Sequence, residues 1–368
     1  MNANDSLPPR TWAEISPAAL RANARAVRRR CPEAGIIAVI KADAYGHGAA
    51  LVAEALENDV AAFAVANLAE ALTLPATPAR PVLILSPALP EERAPLAAAG
   101  FIPTISSAAE LAAFAGLART RPLPVSLKID TGMGRAGAFS SEAAALLEAA
   151  RTLAGIEVRH IASHLPSADT DAAYTEHQLE TFAAFAREQR PHFPGTTFHI
   201  LNSAGILGFG RWAQDLVRPG LMLYGVSPLP EFQSELQPAC TWKTRVCLVR
   251  ELPAGHGVSY GRRFVTRRPT RTALLAAGYA DGYPRILSGR GAEVLIRGKR
   301  CPVLGTITMD LTIVDVTGLP EAAAGDEAVL LGAQGGECIH ARELADKAET
   351  IPWEILTGIQ NRVQRRLA

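Results

Sequence analysis

The sequence lacks a charge imbalance and any long apolar run, and each absence excludes a class of partner. Its 368 residues carry 37 basic and 36 acidic side chains, so the formal net charge is +1. Proteins that bind nucleic acids usually show a clustered basic excess. No apolar run approaches the roughly 20 residues that a membrane span requires. We therefore expect neither a nucleic acid nor a membrane as partner.

The sequence also lacks paired cysteines. Its five cysteines are odd in number and form no CxxC pair, which argues against a disulfide framework and against a zinc site. The N-terminal letters MNANDSLPPRTW lack the apolar core of a signal peptide. These features predict a reduced, cytoplasmic protein without a metal.

Short apolar runs are present in regular alternation with alanine-rich amphipathic stretches from residue 35 to about 225. The runs are too short for helices and predict strands. Ser107 and Glu110 have the spacing of a capping box at the start of one predicted helix. Eight such units favour a closed (β/α)8 barrel, although a doubly wound open sheet gives a similar pattern. The predicted strands are Ile36–Ile40, Ala62–Val65, Val82–Leu85, Ile102–Ile105, Val125–Ile129, Ile156–Ile161, Phe198–Leu201 and Leu216–Val217.

The proline-punctuated segment VSPLP at residues 226–230 interrupts this alternation and indicates a domain boundary. Short apolar runs bounded by Gly, Pro and Asp follow, and they are typical of a mainly β domain. We predict final helices over His340–Thr350 and Pro352–Leu367. The fold class is therefore α/β, with a TIM-like barrel over residues 12–228 and a β-rich C-terminal domain over 229–368. The N-terminal segment 1–15, in which TWAEI has a strand pattern, is predicted to join the second domain.

Polar residues follow the predicted barrel strands, at the end where barrel enzymes place their active sites. A lysine at the end of a buried strand can lose its charge through desolvation, as an amine nucleophile requires, but its side chain can equally extend to solvent. The candidates are Lys41, Lys128, Asp130, Arg135, His164, Asn202, Ser203, Arg218 and Gly220.

Two local patterns suggest other chemistry. Residues 132–137 satisfy GxGxxG, but they follow the fifth predicted strand, and Glu157 begins the next strand instead of ending it. This context does not match a dinucleotide site. His160 and His164 are four residues apart with no third ligand standing out, so hydrogen-bonded histidines are favoured over metal ligands.

Eight sequence blocks, in order across nearly the whole chain, resemble the alanine racemase family. The resemblance implies a barrel followed by a β domain, and pyridoxal 5′-phosphate as cofactor. It also implies interconversion of L- and D-alanine by a two-base mechanism on a pyridoxal-phosphate aldimine, for cell-wall synthesis, in a homodimer with shared active sites. The blocks are IKADAYGHGA (40–49), LKIDTGMGRAG (127–137), SHLPSADTD (163–171), LNSAG (201–205), VRPGLMLYG (217–225), GVSYGRRF (257–264), GYADGYPR (278–285) and TMDLTIVDV (308–316).

The resemblance makes Lys41 the Schiff-base lysine and Tyr260 the second acid/base, contributed by the partner subunit. Two bases on opposite faces are the minimum for moving the Cα proton between faces. Lys41 would serve the D-enantiomer and Tyr260 the L-enantiomer. Because a tyrosine has an unperturbed pKa of about 10, it needs help near neutrality. His164 and Arg218 resemble that relay, with Arg218 at the pyridine nitrogen.

The remaining roles also come from the resemblance. Lys128 stands where many members carry a carbamylated lysine. Asn361 stands where several members bind the cofactor phosphate through a tyrosine, and Thr306 replaces a frequent arginine. The other implied contacts are Tyr45, Ser203, Gly220 and Leu221 to the phosphate, Arg135 and Met309 to the substrate carboxylate, and Tyr279 at the entrance.

Three alternatives remain. A broader-specificity amino-acid racemase would share nearly every motif. A decarboxylase is disfavoured by Arg218, because an arginine stays protonated and leaves the ring nitrogen unprotonated. A non-catalytic pyridoxal-phosphate carrier would resemble the barrel alone, and the second domain with Tyr260 argues against it.

Overall fold

The computed structural model describes residues 8–74 and 80–368. Its strands are β1 (Thr11–Ile15), β2 (Gly35–Val39), β3 (Ala62–Val65), β4 (Val82–Pro87), β5 (Ile102–Ile105), β6 (Leu123–Lys128), β7 (Ile156–Ala162), β8 (Thr197–His199), β9 (Leu216–Val217), β10 (Cys240–Leu252), β11 (Gly257–Val258), β12 (Phe264–Val265), β13 (Thr270–Leu275), β14 (Glu293–Ile296), β15 (Lys299–Pro302), β16 (Thr312–Asp315), β17 (Glu327–Gln334), β18 (Glu337–Ile339) and β19 (Gln364–Leu367). Its helices are α1 (Pro17–Arg30), α2 (Lys41–Gly46), α3 (Ala49–Leu56), α4 (Leu68–Thr73), α5 (Arg93–Ala99), α6 (Ala108–Ala115), α7 (Ser140–Thr152), α8 (Ala172–Gln189), α9 (Ser203–Phe209), α10 (Ala341–Ala348) and α11 (Pro352–Thr357).

Strands β2 to β9 form one parallel sheet in the order β8-β7-β6-β5-β4-β3-β2-β9. The last strand therefore lies beside the first, with Ile36 paired to Val217. At the seam between β8 and β9, the N–H of Arg218 donates to the carbonyl of Leu201 at 2.9 Å. The predicted (β/α)8 barrel is confirmed, because this sequential order excludes a doubly wound open sheet.

Some barrel strands are buried along their whole length, as expected where both faces of a sheet are covered. All four residues of β3 and all four of β5 are buried. Their predicted bounds agree with the structure, as do those of β9. At the start of α6, Ser107 Oγ accepts from the N–H of Glu110, but the Glu110 carboxylate returns to the N–H of Ser106 instead of Ser107.

The second compact unit contains the N-terminal segment ending at Pro17, Tyr45–Gly48 and Pro238–Ala368. Its main sheet has the order β15-β14-β17-β10-β1-β19, and β13, β16 and β18 extend it. Strand β1 runs antiparallel to β10 and parallel to β19. The division after Gln237 falls beyond the predicted boundary at residue 228. Residues 1–7 of the predicted segment 1–15 lie outside the described residues.

The predicted helix over Pro352–Leu367 is wrong in its second half. Helix α11 ends at Thr357, and Gly358 follows it. Residues Gln364–Leu367 instead form β19, which pairs along the edge of β1. Backbone pairing with β1 therefore decides the conformation of this segment. Within residues 8–74 and 80–368, every helix is too short or too polar to cross a bilayer.

Candidate active site

Arg218 is buried just after β9, at the carboxyl end of the barrel, with 4% of its surface exposed. Its Nη1 donates to the carbonyl of His199 at 3.0 Å, and its Nη2 donates to those of Ser163 at 2.6 Å and Ile200 at 2.9 Å. These carbonyls belong to the ends of β7 and β8. Burial lowers the pKa of Arg218 to about 10, so the guanidinium stays charged near neutrality.

Two histidines contact the same guanidinium. Nη2 of Arg218 lies 3.2 Å from Nδ1 of His164, and Nη1 contacts Nδ1 of His199. Since a guanidinium only donates, each Nδ1 acts as an acceptor and the neutral rings carry their proton on Nε2. Burial, helped by neighbouring positive charges, holds the pKa of both histidines well below its ordinary value.

His199 is a site residue that the sequence analysis missed. It is the last residue of β8 and is 1% exposed. The predicted strand ran to Leu201, which placed His199 inside a strand instead of at its end. A histidine in an otherwise apolar predicted strand was the available signal. His160, in contrast, places Nδ1 2.7 Å from Thr197 Oγ1 and so is hydrogen-bonded.

Lys128 ends β6 and has an unusual electrostatic environment. Burial lowers its pKa well below the ordinary value, and the charges of Arg218 and Arg135 lower it further. The charge of Asp130 raises the pKa of Lys128, but by less than the other groups lower it. These surroundings favour the neutral amine of Lys128 more than water does.

The glycine-rich loop after β6 wraps around a carboxylate of this chain. Asp130 accepts hydrogen bonds from the N–H groups of Gly132 at 2.7 Å, Met133 at 2.8 Å and Gly134 at 2.8 Å. Gly137 has a φ of 116°, and a Cβ there would lie 2.9 Å from the Asp130 nitrogen. The glycine spacing is thus required by this turn.

Lys41 follows β2 and is the first residue of α2, which is a short left-handed helical turn. Residues Ala42, Asp43, Ala44 and Tyr45 have φ values of 51°, 51°, 54° and 54°. Left-handed backbone costs a non-glycine residue roughly 1–2 kcal/mol. Such strain is characteristic of functional sites. Burial lowers the pKa of Lys41, as does the charge of Arg135, whereas Glu70 raises it.

Ser203 lies against the turn after β9, which contains Gly220 and Leu221. These three residues are among the predicted contacts to the cofactor phosphate. Ser203 Oγ accepts from the N–H of Gly220 at 2.9 Å and from that of Met222 at 3.2 Å. The N–H of Leu221 between them makes no hydrogen bond with any residue that the structure describes. The hydroxyl and this N–H are the polar groups available there for an anion.

Three further predicted residues belong to the second unit. Tyr260 is 74% exposed, Met309 53% and Tyr279 40%. The Tyr279 N–H donates to the Thr308 carbonyl at 3.0 Å, and Thr306 Oγ1 donates to the Tyr260 carbonyl at 3.0 Å. These contacts hold the three exposed side chains in neighbouring loops.

Tyr45 and Asn361 also lie in the second unit. Tyr45 is buried, and burial raises its pKa to about 12. Next to it, a Cβ at Gly46 would lie 2.2 Å from the Leu356 carbonyl oxygen. Asn361 is exposed in the turn between α11 and β19. Tyr45–Gly48 thus contacts the C-terminal segment that also contains Asn361.

Two family models match the chain. The family described as "Alanine racemase, N-terminal domain" matches residues 15–228. The family described as "Alanine racemase, C-terminal domain" matches residues 239–367. Together they cover most of both compact units.

Relatives and solved structures agree with these matches. The chain is 42% identical to the alanine racemase of Methylacidiphilum infernorum (isolate V4), over 97% of this chain and 92% of that protein. It superposes on the alanine racemase of D-cycloserine-producing Streptomyces lavendulae with a TM-score of 0.90 and 37% identity, covering 99% and 98% of the two chains. The alanine racemase of Bartonella henselae, a crystal structure with covalently bound pyridoxal phosphate, has a TM-score of 0.85 and 31% identity, covering 98% of this chain and 100% of that chain.

Proposed function

Because the chain belongs to the alanine racemase family, we propose that Lys41 and Tyr260 are the two groups that move the Cα proton of alanine. The chain is a pyridoxal-phosphate-dependent racemase that interconverts L- and D-alanine. The observation that carries the residue assignment is the buried Arg218, held by three carbonyls and beside His164. It fixes one polar group at the carboxyl end of the same barrel as Lys41.

The barrel residues fit the cofactor. Lys41 has a lowered pKa, as an amine needs in order to bond covalently to an aldehyde with loss of water. Ser203 and the Leu221 N–H would bind the phosphate, at the loops where barrels commonly hold one. Arg218 would donate to the pyridine nitrogen. When bound, the cofactor withdraws electrons from Cα and so acidifies its proton.

The two bases would act on opposite faces of Cα. Lys41 Nζ takes the proton of D-alanine, and Tyr260 Oη takes that of L-alanine. His164 accepts from Arg218 through Nδ1, so its Nε2–H is the group that would contact Tyr260 of the partner subunit. A neutral, oriented imidazole can stabilise the phenolate form of a tyrosine by hydrogen bonding.

Arg218 would also limit side reactions. It remains charged and has no proton-accepting site, so it leaves the ring nitrogen unprotonated and the cofactor a weaker electron acceptor. A decarboxylase would be expected to place a carboxylate there. The surroundings of Arg218, which are carbonyls and neutral imidazoles, favour racemisation over that alternative.

Arg135 is proposed to bind the substrate carboxylate, with the Met309 backbone. Its guanidinium is exposed and makes no hydrogen bond among the described residues, yet its charge lowers the pKa of Lys41. A free guanidinium near the reacting lysine suits a carboxylate. Tyr279 would line the entrance, and Tyr45 and Asn361 would add phosphate contacts.

A homodimer with shared active sites is proposed from the exposed loops of the second unit. Tyr260 is 74% exposed, Met309 53% and Ile286 47%. Clustered large apolar side chains at a surface are typical of an interface. We further propose a cytoplasmic location, supported by five cysteines that are all free thiols.

The function is tested by incubating the purified protein and cofactor with single L-amino acids and quantifying each D-enantiomer. We expect D-alanine to form far faster than any other D-amino acid. Comparable rates with several amino acids would identify a broader-specificity racemase, and absence of any D-enantiomer would identify a carrier. The control is protein treated with borohydride, which should be inactive and carry the cofactor on Lys41.

A further inference from the structure

Glu70, in the first turn of α4, binds the backbone at the ends of two neighbouring barrel strands. Its Oε1 accepts from the N–H of Ala42 at 2.9 Å, and its Oε2 accepts from the N–H of Ala66 at 2.8 Å. Ala42 directly follows Lys41, and Ala66 is the first residue after β3. The carboxylate therefore fastens the backbone beside Lys41 to the end of the adjacent strand.

The hydrogen bond from the N–H of Ala42 lies at the start of a strained backbone turn. Ala42 is the first of the four consecutive non-glycine residues with left-handed φ. Such a turn is costly and persists only when surrounding contacts hold it. Glu70 is itself anchored, because its N–H donates to the Asn67 side chain at 3.0 Å. A carboxylate is also favourable in the first turn of a helix.

Glu70 also supplies charge near Lys41. Burial lowers the pKa of Lys41 and the charge of Arg135 lowers it further, whereas the charge of Glu70 raises it. Backbone support and charge therefore come from the same carboxylate.

We propose that Glu70 is a positioning residue for Lys41, which fixes the backbone that carries Lys41 and balances the charge of Arg135. This inference rests on the proposed role of Lys41. Glu70 touches no reacting atom, so its effect passes through Lys41 alone.

The chain contains a matched control. Glu110 occupies the corresponding position in α6, with its N–H bonded to Ser107 Oγ and its carboxylate bonded to the N–H of Ser106 at 2.8 Å. Burial raises the pKa of Glu110, and the backbone of Ser106 and that of Ala88, the first residue after β4, oppose the rise. Glu70 and Glu110 thus have the same capping contact and each accepts from the N–H just after the preceding strand, but only Glu70 is also bonded next to Lys41.

The test follows covalent attachment of pyridoxal phosphate to the cofactor-free protein as a function of pH. Absorbance gives the rate, and borohydride trapping with peptide mapping gives the site. In Glu70→Gln we expect the pH midpoint of attachment to fall by about one unit, since a favourable negative charge is lost. The attachment rate should fall about tenfold, since a reacting group that is slightly misplaced reacts slowly.

The control variants separate charge from geometry. Glu110→Gln should keep the wild-type midpoint and rate, although its free energy of unfolding should also fall. Glu70→Asp keeps the charge and shortens the side chain, so it should keep the midpoint and lower the rate.

Two results would overturn the inference alone: an unchanged midpoint in Glu70→Gln, or an equal shift in Glu110→Gln, with the adduct on Lys41 in each case. If Glu70→Gln fails to fold, Glu70→Asp decides the question. A wild-type rate and midpoint in Glu70→Asp would show a purely structural role for Glu70 and would also overturn the inference. An adduct on another lysine in the wild type would instead overturn the proposed role of Lys41, and this inference with it.

Discussion

Two lysines at the carboxyl end of the barrel, Lys41 and Lys128, share one electrostatic property and have different surroundings. Burial lowers the pKa of both, and the charge of Arg135 lowers both further. The charge of Glu70 raises the pKa of Lys41, whereas the charge of Arg218 lowers the pKa of Lys128. An anion formed on Lys128 would therefore be stabilised by two guanidinium groups, which suits a positioning role for Arg135.

We predict that Lys128 is carbamylated. Its neutral amine would attack CO2, forming an N–C bond and releasing a proton, and the new carboxylate would be stabilised by Arg135 and Arg218. Protein equilibrated with 13C-bicarbonate at mildly alkaline pH should show a carbamate resonance in its 13C spectrum. Lys128→Arg keeps the positive charge but cannot form the carbamate. A spectrum without the resonance, or one that keeps it in Lys128→Arg, would refute the assignment.

Among the strands, the sequence is informative where burial alone decides the structure. Strands covered on both faces are continuous apolar runs, so β3 and β5 were predicted with their observed bounds. Strand β19 was missed because its residues QRRL have no apolar pattern and adopt strand structure through pairing with β1. Long-range pairing of this kind leaves no local signal.

In the candidate site, too, the sequence predicts only those features that leave a local pattern. Lys41 and Arg218 follow apolar strands directly, and their positions could be read from the sequence. The left-handed turn after Lys41 could not, because its residues Ala42–Tyr45 contain no glycine to signal positive φ. A local signal for Glu70 is present in the sequence, since Asn67 and Glu70 have the same capping spacing as Ser107 and Glu110.

Strand β7 carries a histidine that should make stability depend on pH. Burial lowers the pKa of His160 to about 4. In the unfolded chain a histidine gains its proton below about pH 6.5, while the folded protein keeps His160 neutral. The free energy of unfolding should therefore fall as pH decreases from 6.5 towards 4, with His160 contributing about 3 kcal/mol of that loss.

Urea unfolding at several pH values checks this prediction. His160→Gln should weaken the dependence of unfolding free energy on pH in that window by about the stated amount. His177 is exposed on α8, so His177→Gln is the control and should leave the dependence unchanged. The explanation fails if His160→Gln has the wild-type pH dependence.

The residues proposed for the chemistry come from two compact units. Lys41, His164 and Arg218 belong to the barrel unit, whereas Tyr260 belongs to the unit that contains Pro238–Ala368. Tyr260 is 74% exposed in a loop beside other exposed apolar side chains. A second copy of the chain that covers this surface would convert an exposed tyrosine into a site residue.

Lys41 of one subunit and Tyr260 of its partner are proposed to form one active site, and a mixed dimer distinguishes this arrangement from a site within one chain. Lys41→Ala and Tyr260→Phe homodimers should each be badly impaired. After subunit exchange, a shared site predicts one intact site and one doubly defective site per mixed dimer, so activity should return towards half that of the wild type per dimer. If verified mixed dimers recover no activity, both residues of a site come from the same chain and the shared site does not exist.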